Sequence, residues 1–215
     1  MASKAFLEKA YLAYFGRPVD YTGATDYAKT SEADVAKSFS SSPESQALYG
    51  SNFGITQINA IYNMLFGRSA EPAGLDYWYN QVKTGLVTPA GAAVAILEGA
   101  KNADAAAVTN KLAASAAFTA SLDTTPEIVG YSGDAAAGAA RVFLQSVTTT
   151  AATQAAVDAA VTTTVSGTGS GSGSAPIALT AGTDRVTGTS GADTFEAFLS
   201  QNSIAGGVSN TLSSA

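Results

Sequence analysis

Apolar residues recur at helical spacing through the first three quarters of the chain. The clearest stripe consists of Ile58, Ile61, Tyr62, Leu65 and Phe66. Steps of three and four positions place such residues on one face of a helix, so this stripe predicts a helix over roughly residues 52–66. Similar stripes predict a first helix around residues 7–15, a long helix over about 102–122 and a weaker one around 157–165.

Four proline-containing steps predict where helices begin. In each, a polar or acidic residue precedes a proline: Ser42-Pro43, Glu71-Pro72, Thr88-Pro89 and Thr125-Pro126. Proline is tolerated in the first helical turn because the amide hydrogen that it lacks would have no partner there. Together with the stripes, these signals predict a mainly α fold, a bundle of about eight to ten short helices with brief connections.

An internal repeat indicates that the bundle contains two related units. Residues 11–27 overlay residues 62–78 without gaps at an offset of 51. Seven positions agree in kind along this overlay: a tyrosine, a phenylalanine, a glycine, an arginine, an acid, a second glycine and a closing aromatic residue. Two tandem units of this length favour a pair packed together, whereas a solenoid needs three or more copies.

The repeated Gly-Arg step is typical of a helix end. Gly16 and Gly67 follow the last apolar residue of a predicted helix, where a left-handed cap favours glycine. Arg17 and Arg68, which come next, are expected to reach helix-end carbonyls or the acid three residues later. The second glycine of each copy, seven residues after the first, permits close helix contact. The alternative is that the arginines bind a ligand directly.

Composition excludes several classes of function. The chain has no histidine and no cysteine, which rules out triads based on either residue and the common zinc sites. A net charge of −6 argues against nucleic acid as a partner. The longest apolar run, residues 92–97, is too short to cross a membrane. Charged Lys4, Glu8 and Lys9 interrupt the N-terminus, so no secretory signal peptide is expected there.

The chain changes character near its end. A Gly/Ser/Thr-rich stretch over residues 166–176 predicts a flexible linker between a helical domain at 1–165 and a second region at 177–215. In that region a Gly-x-Asp-x-apolar pattern occurs twice, with Asp184 and Asp193 nine positions apart. This rhythm is typical of calcium-binding β-rolls, and it predicts calcium as a cofactor of a β-roll-like domain that the chain truncates. The alternative is the first strands of a larger β domain.

One segment carries a family resemblance. Residues 66–78, Phe-Gly-Arg-Ser-Ala-Glu-Pro-Ala-Gly-Leu-Asp-Tyr-Trp, resemble a helical domain repeated in large bacterial surface proteins. With the β-roll-like turns downstream, the chain is similar to the N-terminal part of Gram-negative S-layer proteins. That resemblance implies type I secretion, a location at the cell surface, and a helical domain at 1–165 that anchors the lattice to lipopolysaccharide O-polysaccharide. Neighbouring copies of the chain in the lattice are the other implied partner.

Sugar binding requires flat aromatic faces beside planar hydrogen-bonding groups. The candidate glycan-binding residues are Arg17, Tyr21, Tyr27, Arg68, Asp76, Tyr77, Trp78 and Tyr79. Because successive helical residues are about 100° apart, Trp78 is expected to face the core and its two neighbours the surface. We expect no enzymatic activity, since paired acids such as Glu71 and Asp76 have no surroundings that would raise a pKa. A self-assembly or adhesin module is the alternative function.

Overall fold

The computed structural model describes residues 1–168, and side chains up to residue 166. This part of the chain is helical and contains no β-strand, so the prediction of a mainly α fold is confirmed for it. Besides the α-helices there are two 3₁₀ turns, at Tyr27–Lys29 and Pro89–Gly91. The α-helices are α1 (Lys4–Phe15), α2 (Tyr21–Asp26), α3 (Glu32–Ser40), α4 (Pro43–Tyr49), α5 (Ile55–Phe66), α6 (Pro72–Lys83), α7 (Ala92–Glu98), α8 (Asn102–Ala120), α9 (Thr125–Gly130), α10 (Gly133–Ser146) and α11 (Gln154–Thr168).

The eleven α-helices of residues 1–168 exceed the eight to ten expected, because side-chain caps divide the chain more finely than apolar spacing suggests. The Ser31 hydroxyl accepts a hydrogen bond from the amide of Asp34 and starts α3. Thr124 and Glu127 form a capping box at the start of the six-residue α9. Such local bonds satisfy amides that a helix leaves free at its N-terminus.

The proline-containing steps correctly predicted where helices begin. Pro43 and Pro72 are the first residues of α4 and α6, and Pro126 is the second residue of α9. Pro89 opens a 3₁₀ turn that leads directly into α7. At the start of α4, the Ser42 hydroxyl also accepts the amide of Ser45 at 3.2 Å.

The duplication is visible in the helices themselves. α1 and α5 have twelve residues each and are offset by 51 positions, as are the starts of α2 and α6. Gly16 and Gly67 cap the first helix of each unit in the left-handed conformation, with φ of 63° and 71°. In the second helix of each unit, Gly23 lies against Tyr11, and Gly74 lies against Tyr62. The predicted caps and close contacts are therefore confirmed.

The larger apolar core is built around α1. This helix buries seven of its twelve residues, from Leu7 to Phe15, and contacts α3, α4, α5, α7 and α8. Phe39 of α3 lies against the rings of Tyr11, Tyr14 and Phe15 at centroid distances of 5.1, 6.0 and 4.6 Å. A central helix of this kind holds both units of the duplication together.

A second apolar cluster lies among α8, α9, α10 and α11. Phe118, Tyr131 and Val157 are buried there, and Ala136 and Ala140 of α10 are completely covered. Because alanine side chains are short, helices that meet through them approach closely and present few large apolar groups. This explains why the sequence showed only a weak stripe in this region.

The boundaries of two predicted helices shift by a few residues. The helix expected from about 52 begins at Ile55, after Gly54, and the helix expected to end near 122 ends at Ala120. α11 continues to Thr168, into the first residues of the predicted linker. The rest of that linker, the predicted β-roll-like region 177–215 and the predicted calcium ligands Asp184 and Asp193 lie outside the described residues. Within residues 1–168 no helix has the length and hydropathy needed to cross a membrane.

Candidate functional site

Arg17 forms the centre of a half-buried charge cluster. Its Nε and Nη2 donate to the two carboxylate oxygens of Glu44 at 2.8 and 3.0 Å, and its Nη1 donates to Asp20 at 2.9 Å. The side chain is only 12% exposed. A bidentate bond between guanidinium and carboxylate is both strong and directional. The predicted contact with the acid three residues later is thus present, and Glu44 of α4 adds a second carboxylate.

Helix α10 and the residues before it cover this cluster. Arg141 donates through Nη2 to Glu44 and through Nε to the carbonyl of Phe15, both at 2.8 Å. The Tyr131 hydroxyl donates to the carbonyl of Pro18 at 2.7 Å. Glu44 therefore joins two arginines that are far apart in the sequence, and the second apolar cluster is tied to the first unit of the duplication.

Pairing determines the protonation of the cluster. Burial by itself lowers the pKa of Arg17, but hydrogen bonding and the charge of Glu44 outweigh it and hold that pKa above its usual value. Burial raises the pKa of the Tyr131 hydroxyl to about 12. At neutral pH the arginine is charged and the phenol is neutral, so Tyr131 serves the cluster as a hydrogen-bond donor.

The second unit contains an equivalent but more open cluster. Arg68 donates through Nη1 to Glu71 at 2.6 Å, and through Nε and Nη2 to the carboxylate of Asp104 at 3.2 and 2.6 Å. The guanidinium lies 5.4 Å from the ring centroid of Tyr62, as that of Arg17 lies 5.1 Å from Tyr11. The Arg68 side chain is 42% exposed.

The two clusters follow one plan. In each, the distant carboxylate comes from the first turn of a later helix, α4 for Glu44 and α8 for Asp104. The structure therefore assigns both arginines to holding helices together, in agreement with the packing interpretation of the Gly-Arg step. The hydrogen bond from Arg68 lowers the pKa of Glu71 and keeps it ionised.

Helix α6 presents two exposed tyrosines, which lie about 160° apart around the helix and flank its outer surface. Tyr77 and Tyr79 are 54% and 43% exposed, whereas Trp78 between them is 8% exposed and donates its indole N–H to the Tyr62 hydroxyl at 3.0 Å. Asp76 is also exposed. The expectation that Trp78 faces the core is met, so its ring offers no free face to a ligand. We call the outer surface of the helix, on which Asp76 and Asn80 lie between Tyr77 and Tyr79, the α6 face.

A cleft of about 500 Å³ opens beside the Arg17 cluster. Its walls come from the start of α2, from α4, from the end of α9 and from the start of α10. The polar and aromatic side chains of its lining are Arg17, Asp20, Tyr21, Thr22, Glu44, Tyr131, Ser132 and Asp134. We call this cavity the α2–α10 cleft. Its volume lies within the range of small-molecule sites, about 300–1,000 Å³.

The predicted site residues thus fall into four groups. Arg17 and Tyr21 line the α2–α10 cleft, while Asp76, Tyr77 and Tyr79 belong to the α6 face. Arg68 lies in its own cluster, three residues before the Glu71 that precedes α6. Tyr27 and Trp78 pack inward: the Tyr27 ring is partly buried against Phe39, with centroids 4.8 Å apart.

Sequence reasoning missed several residues of the cleft and of the charge cluster beside it. Glu44, Tyr131, Ser132, Asp134 and Arg141 were not among the candidates. Glu44 had a weak signal, since it follows the proline that starts α4. Arg141 lies in an alanine-rich segment, where a single arginine signals a buried or paired role. The hydrogen bond between Arg141 and Glu44 joins residues 97 positions apart, so it depends on how the helices pack.

The fold and these clusters define a helical domain with a duplicated helix pair, in which each copy closes an arginine between two carboxylates. Residues 36–105 match a family model described as a domain of unknown function, DUF4214. This match covers about a third of the chain and includes the 66–78 motif. No curated protein and no solved structure matches the chain.

Proposed function

We propose that the helical domain is a non-enzymatic polysaccharide-binding module of an S-layer protein. It anchors the surface lattice to lipopolysaccharide O-polysaccharide on the outside of a Gram-negative cell. The resemblance of the 66–78 motif to helical domains of S-layer proteins supports this function. On the same basis we propose type I secretion, lattice contacts with neighbouring copies of the chain, and calcium binding at Asp184 and Asp193.

The exposed tyrosines of the α6 face are the observation that carries the proposal. Tyr77 and Tyr79 keep about half of their surface open to solvent, although large aromatic side chains gain free energy by burial. Sugar rings stack their C–H faces on such side chains, while carboxylates and amides accept and donate hydrogen bonds to hydroxyl groups. Asp76 and Asn80 supply those groups one helical turn or less away.

The hydrogen-bond partners of the acids support binding over catalysis. Glycoside hydrolysis needs a carboxylic acid whose pKa is raised so that it can protonate the leaving group. The hydrogen bond from Arg68 lowers the pKa of Glu71 instead. Asp20 and Glu44 are both held by Arg17. To act as a catalytic acid, any of these carboxylates would first have to break the hydrogen bonds that it accepts from an arginine.

The test compares binding of the 215-residue chain to smooth lipopolysaccharide and to rough lipopolysaccharide lacking O-polysaccharide, with and without calcium. We expect binding to the smooth form only. Replacing Tyr77 and Tyr79 together by alanine should weaken it about tenfold or more, the loss of roughly 1.4 kcal/mol. Val142→Ala, at a side chain that is 67% exposed on α10, is the control. Equal binding to both forms, or to neither, would overturn the proposal.

A second candidate function is a self-assembly or adhesin module. A shallow, mainly apolar cleft of about 660 Å³ lies between α3 and α7, with Phe6, Ala36, Pro89 and Val94 among its walls. Exposed apolar surface of this kind favours protein contacts. Sedimentation of the chain over a range of concentrations separates the two functions, because an anchor binds polysaccharide as a monomer and an assembly module oligomerises without it.

A further inference from the structure

The α2–α10 cleft has the features of a second sugar site, distinct from the α6 face. Tyr21 is the first residue of α2 and stands at the edge of the cleft with 64% of its surface exposed. An aromatic ring in this position can offer a flat apolar face to a ligand, and no contact with the core has to be broken for it to do so. Ile128 and Ala137 add apolar surface to the lining, so the cleft combines an aromatic edge with a partly apolar wall.

Polar groups are available in the cleft for hydrogen bonds to a ligand. The carboxylate of Asp134 and the hydroxyl of Thr22 are exposed and make no hydrogen bond within residues 1–168. The Ser132 hydroxyl donates to the carbonyl of Val129 at 2.7 Å, which leaves its oxygen free to accept. Together these groups provide the cleft with several acceptors and a hydroxyl donor.

The charges of the cleft restrict the ligand. Arg17 provides the positive charge in the lining of the cleft. Its Nε, Nη1 and Nη2 already donate hydrogen bonds to Glu44 and Asp20. Arg141 adds a second positive charge beside Glu44. The two arginines and the two acids cancel, so the charge left facing the ligand is that of Asp134. A carboxylate, phosphate or sulfate on the ligand would be repelled by it.

We infer that the α2–α10 cleft binds a neutral or amine-bearing sugar residue and rejects acidic ones. This inference rests on the proposed function, since the ligand is a residue of the polysaccharide that the chain anchors. Tyr21 stacks on the ring, and Asp134 accepts hydrogen bonds from hydroxyl groups or pairs with an amine. Arg17 does not contact the sugar; it positions Asp20 and Glu44 and so holds the wall of the cleft in shape.

The experiment uses oligosaccharides released by mild acid from the smooth lipopolysaccharide of the bacterium that encodes the chain. Anion exchange divides them into an unretained pool, neutral or basic, and a retained acidic pool. Each pool is titrated into the ¹⁵N-labelled 215-residue chain while amide chemical shifts are recorded. We expect the unretained pool to shift the amides of Thr22, Ser132 and Asp134.

Two substitutions on exposed side chains test the contacts without disturbing the fold. Tyr21→Ala and Asp134→Asn should each weaken binding of the unretained pool at the cleft amides about fivefold to tenfold. Asp134→Asn should also reduce the discrimination against the acidic pool, which loss of packing alone would not do. Val142→Ala is the control, because this α10 side chain is 67% exposed and lies outside the lining of the cleft, so it should leave the cleft shifts unchanged.

The outcomes separate this inference from the proposed function. If smooth lipopolysaccharide binds but only α6 amides shift, or if the acidic pool binds the cleft more tightly, the cleft assignment is wrong and the anchor remains. If neither pool nor smooth lipopolysaccharide binds the chain, both proposals are wrong.

Discussion

The α-carbon of Gly23 lies directly against the phenol of Tyr11, and a methyl group at that position would overlap the hydroxyl oxygen. Tyr11 is 3% exposed, and its hydroxyl donates to Asp20 at 3.2 Å. In the second unit, the same methyl on Gly74 would lie 3.1 Å from the Tyr62 hydroxyl. The contact between the glycine of the second helix and the tyrosine of the first helix is therefore tight in the first unit and looser in the second unit.

We predict that Gly23→Ala destabilises the chain by about 1–3 kcal/mol, because the buried tyrosine cannot move without disturbing the core. Gly74→Ala should change the free energy of unfolding by less than about 1 kcal/mol, since a slight shift of the tyrosine is offset by better helix propensity. Urea unfolding of both variants measures the difference. Gly138→Ala in α10, where a methyl meets nothing within 4 Å, is the control and should stabilise.

The two arginine clusters differ in exposure, and this difference predicts unequal energies. Replacing Arg17 by alanine leaves Asp20 without its ionic partner in a half-buried site and should cost about 2–4 kcal/mol of unfolding free energy. Replacing Arg68, which is 42% exposed, should cost about 1 kcal/mol or less. Urea unfolding at low and moderate salt measures both. Equal losses of unfolding free energy would show that the exposure of the arginine does not determine how much each cluster contributes to stability.

Local features of the duplicated unit were predictable from sequence because they depend on neighbours in the chain. A left-handed glycine cap and an arginine bonded to the acid three residues later need only local geometry, and both are found at Gly16–Asp20 and Gly67–Glu71. The inward position of Trp78 followed from the helical turn per residue. These are the parts of the site that the sequence could predict.

Contacts between distant helices were not predictable. Glu44 pairs with Arg17 across 27 positions and with Arg141 across 97, and no local pattern connects them. The α2–α10 cleft exists only because α9 and α10 return to the first unit. Alanine-rich helices also weaken the apolar stripe on which such packing predictions depend, so the sequence did not indicate that α9 and α10 pack against the first unit.

Lys111 is a buried cation with an unusual pH dependence. It is 3% exposed, its Nζ donates to the carbonyl of Leu144 at 2.6 Å, and burial lowers its pKa to about 8. In the unfolded chain a lysine titrates near 10.4. Between about pH 8 and 10 the Lys111 amine therefore binds more protons in the unfolded state than in the folded state, so it makes the free energy of unfolding rise with pH.

We predict that Lys111 contributes a rise of roughly 2 kcal/mol over this interval. Urea unfolding at several pH values measures it as the difference in free energy of unfolding between the unsubstituted chain and Lys111→Met, which should be the more stable of the two at pH 7. From about pH 9 the buried tyrosines oppose the rise in both chains, because burial raises the pKa of Tyr11, Tyr14 and Tyr49 and they ionise only on unfolding. A difference between the two chains that stays constant from pH 8 to 10 would contradict the prediction.

Both apolar clusters of the described region are built from residues up to Val165. A chain ending at residue 168 is therefore expected to keep its helical circular dichroism and a single cooperative unfolding transition. It should also keep any binding to smooth lipopolysaccharide. A broad transition in the shortened chain would show that residues 169–215 contribute to the helical core.

Calcium binding is expected in only one of the two predicted regions of the chain. Within residues 1–168 no group of three or more acids is arranged to hold a metal ion, whereas the Gly-x-Asp repeat places Asp184 and Asp193 in the later region. We expect calorimetric titration to detect calcium binding by the 215-residue chain and none by residues 1–168. Asp184→Asn and Asp193→Asn should each weaken binding, because every carboxylate lost removes a hard oxygen ligand. Asp158→Asn in α11 is the control and should have no effect. Binding that survives both substitutions, or that persists in the shortened chain, would contradict the assignment of calcium to these turns.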